Sequence, residues 1–302
     1  MNAAIRSGGL PACCATGLPT GLAAGDGMVA RVRPGEEGTV LWLHGYTMDS
    51  TIWEELWSLL PGWRHLGLDL PGHGLSQPLP PGRGLPELAR RIGGFARAQG
   101  ARHLVGLSFG GMVALQAAIE HPDAFDTLTL GAPALGGGPQ DRGAQARNIA
   151  LGELHRARGA GPWLAELWTR LPSPIFDGAA RHPALWPRLR GIVGRHGWQE
   201  LAGGGMQALA LHAQPPAALA RIAADTLVLI GEEDSEAFRR SAELIRRAVP
   251  RCRRMHLPRT GHLTLLERAG EVRGLLEAQF RRPATVRTGP VREETSWPAG
   301  VG

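Results

Sequence analysis

Apolar residues along the first half of the chain fall into short runs separated by stretches of helical spacing. Met28–Arg33 reads as a strand, and a Pro34-Gly35 turn leads to Thr39–Leu43 (TVLWL), a continuous apolar run that ends at His44-Gly45. Thr51–Leu60 has helical spacing, and Trp63–Leu68 is the next strand, closing at Asp69 and a loop over Leu70–Gly84 rich in proline and glycine. Leu85–Ala98 reads as a helix, His103–Leu107 (HLVGL) as a strand and Phe109–Glu120 as a helix of small residues. Asp126–Leu130 and Thr226–Ile230 (TLVLI) are further strands, and Cys252–Leu257 is a weaker last one. Alternating helices and strands, with strands apolar along their whole length, predict an α/β fold. Its sheet should be mostly parallel and covered by helices on both faces.

One interval breaks the alternation. Between Pro133 and Ala224 no strand pattern occurs, and helical segments broken by proline and glycine carry Trp163, Trp168, Trp186 and Trp198. A crossover between parallel strands needs only one helix. The surplus over residues 133–224 is therefore expected to be an inserted helical lid at the C-terminal edge of the strands, where open α/β sheets bind ligands. Residues 25–132 and 225–281 form the expected core and residues 1–24 an N-terminal segment. Residues 282–302, poor in periodic apolar positions, are expected to be a disordered tail.

Composition removes several chemistries. The 302 residues include 33 Lys+Arg against 27 Asp+Glu, a net charge of +6, and every one of the 33 is arginine. Without lysine there is no Schiff base, no P-loop lysine and no lysine general base. The charge surplus is modest and spread out, and no basic stripe with interleaved aromatics occurs, so no nucleic-acid partner is expected. No apolar run approaches the ~20 residues of a membrane helix. Met1–Ala12 has one arginine and lacks the apolar stretch of a secretory signal, and Leu10-Pro11-Ala12-Cys13 lacks the same stretch that a lipid-attachment site needs. Cys13 and Cys14 are adjacent and Cys252 stands alone, a usage that fits a reducing cytosol. No cysteine pair or histidine pair has metal-ligand spacing. The expectation is a cytoplasmic protein, monomeric or a small homo-oligomer, without metal, cofactor or membrane partner.

Candidate chemistry begins at Gly106-Leu107-Ser108-Phe109-Gly110, a G-x-S-x-G. In a chain with 43 glycines such a match is weak by itself. Its place gives it weight, because it ends one strand and opens the next helix, as a nucleophile elbow requires. The competing reading is a serine that merely caps the helix. A serine hydroxyl needs a base, and the base an orienting carboxylate, in the chain order Ser, acid, His. Strand Thr226–Ile230 is followed by Gly231-Glu232-Glu233-Asp234, and the last strand by Gly261-His262 in a short loop. Asp234 is the preferred acid and His262 the base, with Glu233 and Glu232 as neighbouring candidates. The two donors of an oxyanion hole come from the residue after the nucleophile, Phe109, and from the loop after an earlier strand, where Tyr46 is the natural choice. His44 is expected to brace that loop by hydrogen bonding.

His44-Gly45-Tyr46, Asp69-Leu70-Pro71-Gly72-His73-Gly74-Leu75-Ser76, Gly106-Leu107-Ser108-Phe109-Gly110-Gly111, Gly231-x-x-Asp234 and Gly261-His262 together resemble the α/β-hydrolase superfamily, in order, over about residues 25–281. The resemblance implies a Ser108–His262–Asp234 triad, a helical lid, and a structural role for His73 and Ser76. Ser235 departs from it, since proline is common after the acid.

Within that superfamily Ser108 argues against dehalogenases and epoxide hydrolases, which carry aspartate at the elbow, and the latter also use lid tyrosines where this chain has only Tyr46. The absent lysine argues against plant-type hydroxynitrile lyases, and His44-Gly45-Tyr46 is not the HGGG loop of lipase-like esterases. Acyl transfer to water on a small or medium ester, lactone or thioester is the expected reaction, as the elbow is similar to those of enol-lactonases and small carboxylesterases. The menaquinone-pathway lyase of this fold is the alternative: there the triad serves proton abstraction and elimination, and arginine often holds a carboxylate. A silent triad in a binding protein is a third reading, disfavoured by the intact triad positions. Trp163, Trp168 and Trp198 are candidates for lining an apolar acyl pocket.

Overall fold

A computed structural model of the chain describes residues 21–25, 27–203, 205–282 and 291–295. Nine strands, β1 (Gly21–Ala23), β2 (Val29–Arg33), β3 (Thr39–Leu43), β4 (Arg64–Leu68), β5 (Ala101–Leu107), β6 (Thr127–Gly131), β7 (Asp225–Gly231), β8 (Arg251–Leu257) and β9 (Val291–Thr295), form one sheet. Their order is β1-β2-β4-β3-β5-β6-β7-β8-β9. Among the described residues two pairings are antiparallel, β1 with β2 and β2 with β4; from β4 to β9 every pairing is parallel.

The near-continuous apolar strands are needed because both faces of the sheet are covered. Successive residues alternate between two cores. Leu41 and Leu43 of β3, Leu104 of β5 and Val228 and Ile230 of β7 join one core, with α2 (Leu85–Ala98) and α3 (Phe109–Glu120) and α11 (Glu236–Ala248). Val40 and Trp42, Val105 and Leu107, and Leu227 and Leu229 face the other, with α1 (Glu54–Leu59) and α13 (Ala269–Phe280). Trp42 anchors this second face. Its indole N–H donates to His65 Nδ1 at 3.1 Å, and its ring lies 5.2 Å from that of Trp53.

Between β6 and β7 the chain forms helices α4 (Arg142–Arg158), α5 (Pro162–Trp168), α6 (Asp177–Ala180), α7 (Leu185–Gly194), α8 (Glu200–Gly203), α9 (Gly205–Leu211) and α10 (Pro216–Leu219), and among the described residues no strand. A short α12 (Thr264–Glu267) precedes α13. Among the described residues, no helix is long and apolar enough to cross a membrane.

The ends of the chain differ from expectation. Gly21–Ala23, within the expected N-terminal segment, pairs with β2. Val291–Thr295, within the expected disordered tail, is a strand parallel to β8, with Arg253 in register with Glu293 and Arg254 with Glu294. An edge strand gains its stability from the backbone groups its neighbour leaves open, so it needs no apolar pattern. Residues 1–20, with Cys13 and Cys14, and residues 283–290 and 296–302 of the expected tail lie outside the described residues.

Candidate active site

β5 runs into α3 through Ser108 alone, with φ 53° and ψ −116°. That conformation costs a non-glycine residue about 1–3 kcal/mol and persists only where the surroundings impose it. Here the Ser108 N–H donates to the Gly131 carbonyl at 2.8 Å, and the Ser108 carbonyl accepts from Gly111 at 2.9 Å and Ala134 at 3.1 Å. The flanking glycines admit the turn. A β-carbon at Gly106 would lie 2.6 Å from the Gly110 carbonyl oxygen, and one at Gly110 would lie 2.4 Å from the carbonyl oxygens of Leu43 and His44. Ser108 makes no side-chain capping bond to α3. Its Oγ is instead 2.8 Å from His262 Nε2, which removes the capping alternative.

His262 follows β8 and is buried, as is Asp234 after β7. Its Nδ1 lies 3.1 and 3.0 Å from the two Asp234 oxygens. A carboxylate there accepts the hydrogen bond of Nδ1–H, fixes the proton on that nitrogen and leaves Nε2 to accept from the serine hydroxyl. Glu232 and Glu233 are exposed, and Glu233 pairs with Arg181, so of the three candidate acids only Asp234 reaches the histidine. The Phe238 ring packs on His262 with centroids 4.0 Å apart. A buried carboxylate that the motif reading missed, Glu267, accepts from the N–H groups of Gly261 at 2.8 Å and Leu263 at 2.9 Å, pinning the chain on both sides of His262.

The loop after β3 is braced by neutral imidazoles. His44 Nδ1 donates to the Gly45 carbonyl at 2.8 Å while its Nε2 accepts from Leu70 N–H at 2.9 Å. His73 Nδ1 donates to the Pro71 carbonyl at 3.0 Å and its Nε2 accepts from Thr47 N–H at 3.2 Å. Burial lowers both pKa values, that of His73 well below the ordinary range. Asp69 accepts from Ser50 and Leu75 N–H groups, and Ser76 Oγ bridges the Asp69 carbonyl and the Val29 N–H. With every polar atom occupied by backbone, His44, His73 and Ser76 are scaffold.

Ser108 and His262 open on a cavity of about 210 Å³, which Tyr46 and Phe109 also line. Phe109 is the first residue of α3, so its N–H has no partner within the helix. From the helical stretch between β6 and β7, Trp168, Ile175, Glu200 and Leu201 are among the residues that line it. Of the three tryptophans expected there, only Trp168 lines it. Trp198 is buried and packs edge-on against His196, and Trp163 bonds back to the Gly159 carbonyl beneath the Arg158 guanidinium. Tryptophan marks an apolar environment, and the packing of the insertion decides which side of each ring meets the cavity.

The lining also carries a carboxylate, Glu200. Glu200 Oε1 accepts from Tyr46 OH at 2.7 Å and from His196 Nε2 at 2.9 Å. Burial favours the neutral acid, but the His196 and Tyr46 hydrogen bonds outweigh it and hold the carboxyl below its usual range. Burial, and then the Glu200 charge, push the Tyr46 phenol well up, so it keeps its proton. Among the described residues no group of three or more His, Cys, Asp or Glu is placed to hold a metal ion.

The profile of the Alpha/beta hydrolase family matches residues 40–275. Monoacylglycerol lipase abhd6-B of Xenopus laevis is 37% identical over 111 residues, which are 35% of this chain and 33% of that protein, so the chain spans about a third of that relative's length. The 2-succinyl-6-hydroxy-2,4-cyclohexadiene-1-carboxylate synthase of Salmonella agona (strain SL483) is 30% identical over 228 residues, 71% of this chain and 85% of the relative. The enol-lactonase from Burkholderia xenovorans LB400 superposes with a TM-score of 0.69 at 19% identity, covering 86% of this chain and 99% of that one.

Proposed function

The chain belongs to the alpha/beta hydrolase family, and from that premise we propose that it is a serine hydrolase. Its substrate is a small to medium carboxylic ester, lactone or thioester, cleaved through an acyl-enzyme. One observation carries the reading: Ser108 Oγ, His262 and Asp234 are joined by hydrogen bonds at the mouth of a largely apolar cavity. In this mechanism His262 takes the Ser108 proton as Oγ attacks the acyl carbon, and the Asp234 carboxylate steadies the imidazolium that forms. The N–H groups of Tyr46 and Phe109 receive the oxyanion. His262 then protonates the leaving group, and the same steps with water release the acid. Trp168, Ile175 and Leu201 offer apolar surface to the acyl chain, and the helical insertion acts as a lid.

This chemistry draws on side chains and backbone alone and takes a small-molecule acyl substrate. The reading places the enzyme in the cytoplasm, which suits the free, buried thiol of Cys252, and has it act as a monomer or small homo-oligomer.

The synthase relative keeps elimination as a second reading, with the same triad abstracting a proton. Glu200 weighs against it. The cavity lining carries this carboxylate and, among the described lining residues, no arginine to hold a substrate carboxylate, whereas a neutral acyl ester needs no cation. The test is turnover of p-nitrophenyl acetate and butyrate in ¹⁸O-water, together with fluorophosphonate labelling of wild-type and Ser108→Ala protein. Hydrolysis places ¹⁸O in the released acid, and wild-type protein labels while Ser108→Ala does not. A wild-type protein that labels yet turns over neither ester would favour elimination, and one that neither labels nor turns over would overturn the hydrolase reading.

A further inference from the structure

Tyr46 has two roles at its two ends. Its backbone N–H is the second oxyanion donor in the mechanism above, while its side chain leaves the sheet edge and enters the helical insertion. There the phenol donates to Glu200 at 2.7 Å, and the ring meets Trp168 edge-on at 5.4 Å and His196 at 6.0 Å. His196 donates to the same Glu200 oxygen and packs on His73, centroids 4.6 Å apart, so the imidazole lies between the insertion and the scaffold loop. Three residues beyond Tyr46, Asp49 makes a second attachment to the same stretch of the insertion. Arg195 grips its carboxylate through Nε at 2.8 Å and Nη2 at 3.1 Å, and also donates to Thr51 Oγ1 at 2.6 Å. Residues 195–200 of the insertion therefore hold residues 46–51 of the core at both ends.

The loop between these attachments is not at rest by itself. Thr47 has φ 63°, a left-handed conformation that a β-branched residue adopts only under constraint. The His73 bond to its N–H supplies constraint from the core side, and the Glu200 and Arg195 contacts supply it from the insertion.

We propose that Glu200 is a positioning residue for the oxyanion hole: with Arg195 it ties the insertion to the Tyr46–Thr51 loop, so that the Tyr46 N–H is aimed at the reacting carbonyl only while the insertion is docked. The proposal rests on the hydrolase reading. It makes the insertion part of the catalytic apparatus as well as a cover. A substrate that holds the insertion away from the loop then loses turnover rather than binding.

Tyr46→Phe removes one oxygen and keeps both the ring and the backbone N–H. Glu200→Ala removes the acceptor, and Glu200→Gln restores an acceptor for the phenol. Each variant is assayed for kcat and KM on p-nitrophenyl butyrate. Inhibition is measured with an aliphatic trifluoromethyl ketone, whose adduct with Ser108 puts an oxyanion in the hole, and with the matching alcohol, which does not. Losing one oxyanion donor costs about 10²–10³-fold in kcat, and misplacing it costs part of that. Tyr46→Phe and Glu200→Ala should each lower kcat about 10- to 100-fold, a fraction of that donor's worth. KM and alcohol binding should hardly change, the trifluoromethyl ketone should weaken in step with kcat, and Glu200→Gln should recover most of the loss. Should Glu200→Ala fail to fold, Tyr46→Phe decides. An active wild type whose Tyr46→Phe variant keeps its kcat, or loses ketone and alcohol binding equally, overturns the positioning role alone. A wild type that neither labels nor turns over overturns it together with the hydrolase reading.

Discussion

Asp234 presents both carboxylate oxygens to His262 Nδ1, at 3.0 and 3.1 Å, with both side chains shut away from solvent. Two acceptors on one nitrogen leave a single tautomer in which Nε2 is free to accept the Ser108 proton. Asp234→Asn offers an amide that can donate to Nδ1 and so favours the wrong tautomer. The expected loss in kcat is about 10⁴-fold, as such a substitution costs other serine triads. Fluorophosphonate labelling should slow in parallel and the melting temperature should stay close to wild type. Glu233→Gln, at an exposed position, should keep its kcat.

The elbow and the chain entering the His44–Tyr46 loop are in close backbone contact at Gly110, where a β-carbon would lie 2.4 Å from the Leu43 and His44 carbonyl oxygens. Gly110→Ala must push α3 away from the loop that carries Tyr46. Overpacking of this kind costs about 1–3 kcal/mol, and kcat should fall even in the folded fraction. Gly94 is the contrast. It is exposed on α2 with nothing within 4 Å of an added β-carbon, so Gly94→Ala should stabilise by about 0.5–1 kcal/mol. Urea midpoints of the two variants shifting in opposite directions would support this reading, and equal shifts would contradict it.

Much of this architecture is legible in residue order, for a physical reason. Thr39–Leu43, Leu85–Ala98 and Phe109–Glu120 carry their boundaries in the sequence because each is bounded by glycine, proline or a charged turn, and each buries the faces its pattern predicts. Val291–Thr295 could not be read that way, since its partner is the open backbone edge of β8 rather than an apolar face. Choosing Asp234 over Glu232 and Glu233 required the path of the chain after β7, which turns the first two side chains to solvent. Glu200 is the harder case. Its partner Tyr46 lies 154 positions away, and no local pattern distinguishes it from an ordinary surface glutamate near a helix start.

Trp168 and Trp198 look alike in the sequence and should respond differently to truncation. Trp168 packs on Tyr46 and lines the cavity, so Trp168→Ala enlarges that cavity, the acyl site of the proposed mechanism. The ratio of kcat/KM for octanoate over acetate p-nitrophenyl esters should rise. Trp198 lies in the core of the insertion against His196. Trp198→Ala should cost about 3–5 kcal/mol of stability, as for other buried large-to-small changes, with the preference for acyl length unchanged. A shift in acyl preference from the Trp198 variant would return that residue to the pocket.

Acid should destabilise the fold through histidines before it does so through carboxylates. Burial lowers the pKa of His65 and of His103 to about 4, from 6.5. His65 is held neutral between the Trp42 indole N–H and the Leu60 carbonyl, under the stacked Trp57 ring, and His103 meets Thr127 Oγ1. The native state therefore refuses a proton that the unfolded chain accepts. Above pH 6.5 neither state is protonated and the difference has no effect. Between pH 6.5 and 4 the unfolded chain gains protons alone and stability falls, and below pH 4 the loss is complete. On the linkage scale each histidine is worth up to roughly 3 kcal/mol. Paired carboxylates act lower. Glu243, held at about 2 first by its Arg246 hydrogen bond, loses its contribution only as pH falls from 4.5 to 2. Urea unfolding at pH 8, 7, 6, 5 and 4 should therefore give a level free energy down to pH 7 and a steady fall from 6.5 to 4. His103→Gln, which keeps a hydrogen-bonding atom and cannot titrate, should flatten that fall by its share. A free energy that stays level to pH 5 would mean that these imidazoles are not held neutral by burial.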